Sequence, residues 1–372
     1  MRDWPAEGDL DSESPPDFVM LKNIHIWLPD YLASRKRGEF VSPPHVFFCF
    51  VDHYEPLWAK PSLEIARSRT QYWLENYPKF AGQFHDVDDR PPQHSFFFPA
   101  EEYRPELLDD LAKLCRQGFG EVEIHLHHRN DTAENLRAGL LAFKAQLQSH
   151  GFLSQDRYGF IHGNWALDNS RRDGDWCGVN NELQILRETG CYADFTLPSA
   201  PSDTQTRKVN AIYYATDDPL RPKSHDTGVG VRVGGQATGD LLIVQGPLAL
   251  NWRNRKWGLL PRIEHADVAG HTPVTPARMD LWVRQRIGVI GKPDWIFVKV
   301  HTHGCQEGSF DSALGIAAAR MHEYLARQPF QLHYVTAREV YNLIKAAEAG
   351  MTGDPNQYRN FVLPPPPIRA GS

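Results

Sequence analysis

Four segments of this 372-residue chain end an apolar run in histidines and carboxylates. They are Val46–Glu55 (VFFCFVDHYE), Val122–Asp131 (VEIHLHHRND), Phe160–Trp165 (FIHGNW) and Ile296–Gly304 (IFVKVHTHG). Imidazoles and carboxylates together bind divalent metals, and beside a metal they move protons at neutral pH. Asp52-His53 sets an acid next to an imidazole, so that one could ligate while the other serves as general base. The alternative is that Asp52 begins a turn or caps a helix, and Glu55 is close enough to join either role. His127 and Asp131 are four apart at a strand-to-helix corner and would share a face; with one more imidazole they make a facial metal site open to water. Asp131-x-x-Glu134 reads equally as a helix N-cap. In His162-Gly163-Asn164-Trp165 the glycine permits a tight turn and Trp165 could wall a sugar ring, ordinary turn chemistry being the alternative. His301 and His303 flank Thr302 and are candidates to protonate a leaving group or steady an oxyanion.

Strands must carry these groups. Side chains alternate along a strand, so Glu121, Glu123, His125 and His127 share one face, opposite Val122, Ile124 and Leu126. Lys299, His301 and His303 likewise oppose Ile296, Val298 and Val300. Apolar runs of this kind suit a parallel sheet covered on both faces, and polar groups past the ends of its strands usually converge. A strand–helix alternation starts near His45. Helices are predicted over Leu63–Tyr77, Pro105–Gln117, Thr132–His150, Asn181–Glu188, Pro276–Gly288 and Leu314–Leu325. Strands fall at His94–Phe98, Tyr158–Ile161, Tyr192–Leu197 and Gln331–Val335, and Thr336-x-x-Glu339 opens a last helix with a capping box. Roughly seven such steps, with no GxGxxG or P-loop after any strand, predict an α/β fold, a distorted (β/α)7 TIM-like barrel.

Residues 1–40 read as a polar arm followed by an apolar packing segment, Phe18–Leu32. Residues 41–350 form the barrel, interrupted at about 199–271 by a Gly/Asp/Thr-rich, β-rich insertion on the catalytic face. Residues 351–372, with Pro364–Pro367, form an extended tail. A formal charge of -6 excludes a polycation for nucleic acid or anionic lipid. No run is long enough for a membrane span, and the acidic start lacks the apolar core of a signal peptide. The five cysteines contain no CxxC pair, consistent with a reducing, cytoplasmic setting. Oligomeric state is not readable.

The order of these strand ends resembles the polysaccharide deacetylase (NodB-homology, carbohydrate esterase family four) group, over about residues 45–345. The resemblance implies a distorted (β/α)7 barrel that removes acetyl groups from N-acetylated glycans with a divalent metal, usually zinc. Phe50-Val51-Asp52-His53 stands where that family has Thr-Phe-Asp-Asp, which makes Asp52 the base and His53 a ligand. The strand through His125 and His127 runs to Asp131 where the family has His-x-x-x-His, so the implied metal set is His53, His127 and Asp131. Val298-Lys299-Val300-His301 matches the last motif and makes His301 the general acid. His125, His162, Asn164, Trp165 and His303 would then line the carbohydrate. Three rivals remain: a glycoside hydrolase using two carboxylates, a two-metal amidohydrolase or phosphoesterase-like barrel suggested by His125-x-His127 and His301-x-His303, and an inactive glycan-binding module.

Overall fold

The computed structural model describes residues 23–34 and 43–368. Its strands are β1 (His45–His53), β2 (His94–Pro99), β3 (Gly120–Leu126), β4 (Tyr158–His162), β5 (Cys191–Asp194), β6 (Ile212–Ala215), β7 (Val229–Gly230), β8 (Leu241–Val244), β9 (Ala249–Lys256), β10 (Leu260–Glu264), β11 (Trp295–Thr302) and β12 (Gln331–Tyr334). Helices α1 (Ile24–Ala33), α2 (Leu63–Ala81), α3 (Pro105–Arg116), α4 (Ala133–His150), α5 (Glu182–Thr189), α6 (Pro276–Arg284), α7 (Phe310–Leu314), α8 (Ile316–Ala326) and α9 (Ala337–Glu348) separate most of them.

Local chemistry sets the helix boundaries. Ser62 and Thr132 cap α2 and α4 by accepting the Ile65 and Asn135 N–H groups, and Gly151 ends α4 in the left-handed conformation. Thr336 and Glu339 form the expected capping box on α9. The predicted helix over Leu314–Leu325 divides at Gly315, which is extended. The predicted strand over Tyr192–Leu197 shortens to β5, because Asp194 turns back to accept from Thr196.

β1 explains its own apolarity: it is paired on both edges and covered on both faces. β11 runs parallel along one edge, while the other edge is split between β12 at His45–Phe48 and β2 at Phe50–His53. Parallel pairing continues through β3, β4, β5 and β8, and β6 and β7 then add antiparallel. The result is an α/β fold with a large, mostly parallel central sheet; no ladder joins its two ends among the described residues. Phe47, Cys49, Val51, Phe97, Ile161 and Phe297 pack on one face. Val46, Phe48, Phe50, Val298 and Val300 pack on the other, against Trp282 and Met321 from α6 and α8.

The segment expected to sit wholly as an insertion contributes β8 to the central sheet, and only β9–β10 form a separate hairpin. α1 buries Trp27 and Tyr31 against Val209 and Leu248 of that segment, as a packing element should. The polar arm, residues 1–17, lies outside the described residues. The tail is fastened rather than loose as far as Ile368. Arg359 is 2 % exposed and donates to Tyr334 O, Glu339, Asp86 and Asp88.

Candidate metal centre

Strand alternation decides which groups meet. His53 follows the face of Cys49 and Val51, and its ring centroid lies 4.7 Å from that of His125 and 4.8 Å from that of His303. His301 and Trp165 stand farther out, each 6.4 Å from His53. Glu55, just past the strand, is 2 % exposed and turns into the same space. Its Oε1 is 3.0 Å from His125 Nε2 and 3.6 Å from His127 Nε2. The ligand atoms of His53, Glu55 and His303 lie within 4.8 Å of one another, as do those of Glu55, His125 and His127. Either set, with two residues buried and its last histidine half-buried, could hold a metal ion, and Glu55 belongs to both.

The opposite ring nitrogens are anchored. His125 Nδ1 lies 3.2 Å from Ile161 O, and His127 Nδ1 meets the Glu101 carboxylate. A metal-binding imidazole is commonly held through its second nitrogen by a carbonyl or carboxylate, which fixes the tautomer and leaves Nε2 to ligate. Nδ1 of His53 is buried and has no hydrogen-bond partner among the described residues. Burial, and then the neighbouring His125 and His303, hold His53 neutral by pulling its pKa well below the usual value. Burial likewise pulls His301 down to about 3 although Asp267, 3.8 Å away, works the other way. The His265 ring stacks on His301 at 5.3 Å. Glu102, beside the centre, is pushed up to about 8 by burial and by the Glu55 charge, while accepting the Leu57 N–H at 2.6 Å.

Asp52 is elsewhere. As the neighbour of His53 on a strand it faces the helices, fully buried; Oδ1 accepts the Gly304 N–H at 2.7 Å and Oδ2 lies 3.0 Å from His94 Nδ1. Trp73 Nε1 donates to Gly304 O at 2.8 Å, and a Cβ on Gly304 would come within 2.2 Å of Asp52 Oδ2. Asp52 thus fastens the turn that carries His303, and the expected Asp52–His53 base-and-ligand pair is split between two faces. Asp131 is also not brought to His53 and His127. Its Oδ2 lies 3.2 Å from His128 Nδ1, and its Oδ1 accepts from Thr132 N and Asn135 Nδ2 at the start of α4. Of the three residues expected to bind metal, His53 and His127 stay together through Glu55, which takes the place expected of Asp131.

The third strand end divides too. Trp165, left-handed with φ 54°, faces His53. The His162 ring instead packs 4.6 Å from that of His128, and Asn164 donates its backbone N–H to His162 Nδ1 at 3.2 Å. Glu101, His265 and Asp267 join the surroundings without any sequence signal having singled them out. The alternation His265-Ala-Asp267, which runs beside β11 through the His301 backbone, is the pattern that could have done so.

Compared with protein-family models and with curated proteins, the sequence matches none. The donors themselves therefore carry the functional reading. Two imidazoles with anchored Nδ1 atoms, a shared buried carboxylate and two further imidazoles could hold a metal ion.

Proposed function

We propose that this chain is a metal-dependent hydrolase, with the metal held by Glu55, His125 and His127, by His53 at the end of β1 and by His303 just past β11. The carrying observation is that His125 and His127 both turn Nε2 toward Glu55 while Ile161 O and Glu101 hold Nδ1. A divalent ion supplies Lewis acidity there, polarising a carbonyl and making water acidic near neutral pH. His301, with the Asp267 carboxylate 3.8 Å from its Nε2, stands where a proton could be passed to a leaving amine. Trp165 offers an apolar wall for a ring. The resemblance in the strand-end motifs supports an N-acetylated sugar as substrate and zinc as the ion. It also supports a distorted barrel, and Lys299 of β11 donates to Phe195 O and Leu197 O in the segment that follows β5.

A second version has two ions with Glu55 as a bridging ligand, since both donor sets use that carboxylate. Glu55→Gln and His127→Ala separate the possibilities. Either variant should lose at least about one metal equivalent and nearly all turnover of N-acetylated amino-sugar oligomers. Loss of about two equivalents from Glu55→Gln would favour the bridged pair. Full metal content with undiminished turnover in both variants would exclude this centre.

A further inference from the structure

A second cluster of donors lies behind the first and takes no part in it. His128 follows β3, His162 ends β4, Cys177 sits in the loop before α5, and Glu182 is the first residue of α5. Their ligand atoms all lie within 4.8 Å of one another. His128 is 5 % exposed and the other three are fully buried. His128 Nε2 is 3.1 Å from Glu182 Oε1, and Cys177 Sγ is 3.4 Å from Glu182 Oε2.

Three features separate this cluster from an ordinary polar core. First, His162 Nε2 is buried with no hydrogen-bond partner among the described residues, an unfavourable state that a bound cation would relieve. Second, Cys177 Sγ receives two backbone N–H groups, from Asn169 at 3.3 Å and Val179 at 3.4 Å, while burial and the Glu182 charge hold the thiol well above its usual pKa, so that a bound cation is what would make it a thiolate. Third, the outer contacts orient the donors. The Asp131 carboxylate lies 3.2 Å from His128 Nδ1 without a well-aligned hydrogen bond, and the Asp168 N–H fixes Glu182 Oε2 at 2.6 Å. The loop is also shaped for close approach. Gly178 has φ +98°, and a Cβ there would come within 2.8 Å of the Asp131 nitrogen.

We infer that His128, His162, Cys177 and Glu182 form a closed, structural site for a borderline divalent cation such as Zn2+. Two imidazoles, one thiolate and one carboxylate make a four-ligand set with no position left for substrate. Ligation through His162 Nε2 requires the Asn164 N–H to turn away from Nδ1, and the ion takes the place of the His128–Glu182 and Cys177–Glu182 hydrogen bonds. Binding releases to solvent both the Cys177 thiol proton and the proton that Glu182 and Asp131 stabilise on His128, and breaks no covalent bond between heavy atoms. The ion would join the ends of β3 and β4 to the start of α5 directly behind His127, whose ring sits against Gly163.

Another Asp/His grouping, Asp86, Asp88 and His333, is set aside because the Arg359 guanidinium already lies among its carboxylates, 2.7 Å from Asp88.

The test uses the full-length protein, stripped by chelation and reloaded with Co2+ alone. The wild type should show a near-ultraviolet thiolate-to-cobalt charge-transfer absorption. Cys177→Ser should lose it, together with about one equivalent of metal. His53→Ala, which damages the other centre, should keep it, and so should Cys305→Ser. Should Cys177→Ser not fold, Glu182→Gln serves instead, with cobalt affinity at the thiolate site expected to fall at least about tenfold. A cobalt-loaded wild type without the thiolate absorption, or an absorption unchanged by both Cys177→Ser and Glu182→Gln, overturns the assignment. None of these readouts depends on hydrolysis.

Discussion

Substitution of Asp52 separates a proton-transfer role from a positioning one. Its carboxylate is wholly buried and accepts from Gly304 N–H at 2.7 Å and His94 Nδ1 at 3.0 Å. Asp52→Ala strands both groups in a dry interior at about 1–3 kcal/mol each, so the expected loss is about 2–6 kcal/mol. That is a large part of the roughly 5–15 kcal/mol that holds a domain folded. Asp52→Asn is milder. The amide oxygen keeps the Gly304 N–H, and the amide nitrogen can donate to His94 Nδ1 once that ring carries its proton on Nε2. Exchanging charge-assisted bonds for neutral ones should cost about 1–3 kcal/mol. Because Gly304 follows His303, the effect on the centre is indirect: metal affinity should fall about 10–100-fold, as for other groups that orient ligands. Turnover of the metal-saturated Asp52→Asn enzyme should stay within about tenfold of wild type, since no general-base contribution is removed. Thermal unfolding, metal titration and turnover on one preparation decide the matter. A metal-saturated Asp52→Asn protein with wild-type stability but turnover reduced more than about a hundredfold would show that Asp52 transfers the proton, and the positional account would fail.

Two further predictions concern the frame. Arg359→Met leaves Asp86, Asp88 and Glu339 without their shared cation and should cost about 3–5 kcal/mol in denaturant unfolding; an unchanged midpoint would mean the tail is not fastened there. Burial, then His94, pushes His322 down to about 3, so the unfolded chain binds a proton that the folded one refuses between about pH 6.5 and 3. Its contribution is complete above pH 6.5 and is lost on acidification at up to about 1.4 kcal/mol per pH unit. His322→Phe should flatten the acid side of the stability profile by that slope, and an unaltered slope would contradict the shift.

Much of the centre is legible because strands have a period of two. Counting within their strands puts Glu123, His125 and His127 on one face and Lys299, His301 and His303 on one face, and the structure brings His125, His301 and His303 round His53. The same count assigns Asp52 to the opposite face; the pull of adjacency in sequence obscures it. What periodicity cannot supply is convergence between elements with unrelated spacing. Glu101 comes from a short 3-10 turn after β2 and Asp267 from a segment laid beside β11. Cys177 and Glu182 reach His128 only because the loop before α5 folds back, with the Asp131 N–H bonded to Cys177 O at 2.9 Å. Asp131 shows the limit most clearly. Its expected place as N-cap is taken by Thr132, and only the path of the loop determines that its carboxylate lies beside His128 rather than His127.

The split pairing of β1 has a consequence for how the chain is made. The first strand of the sheet is bonded along one edge by β11 and over half of the other by β12, from the far end of the sequence. During synthesis the VFFCFV run therefore emerges long before the strands that flank it. Such an unpaired, uncharged edge invites pairing with other chains until the ribosome has delivered roughly the last tenth of the fold. Sequence separations this large also slow the closing step itself. Recovery of active protein should thus be governed by what shields the first strand during that interval, more than by the stability finally reached.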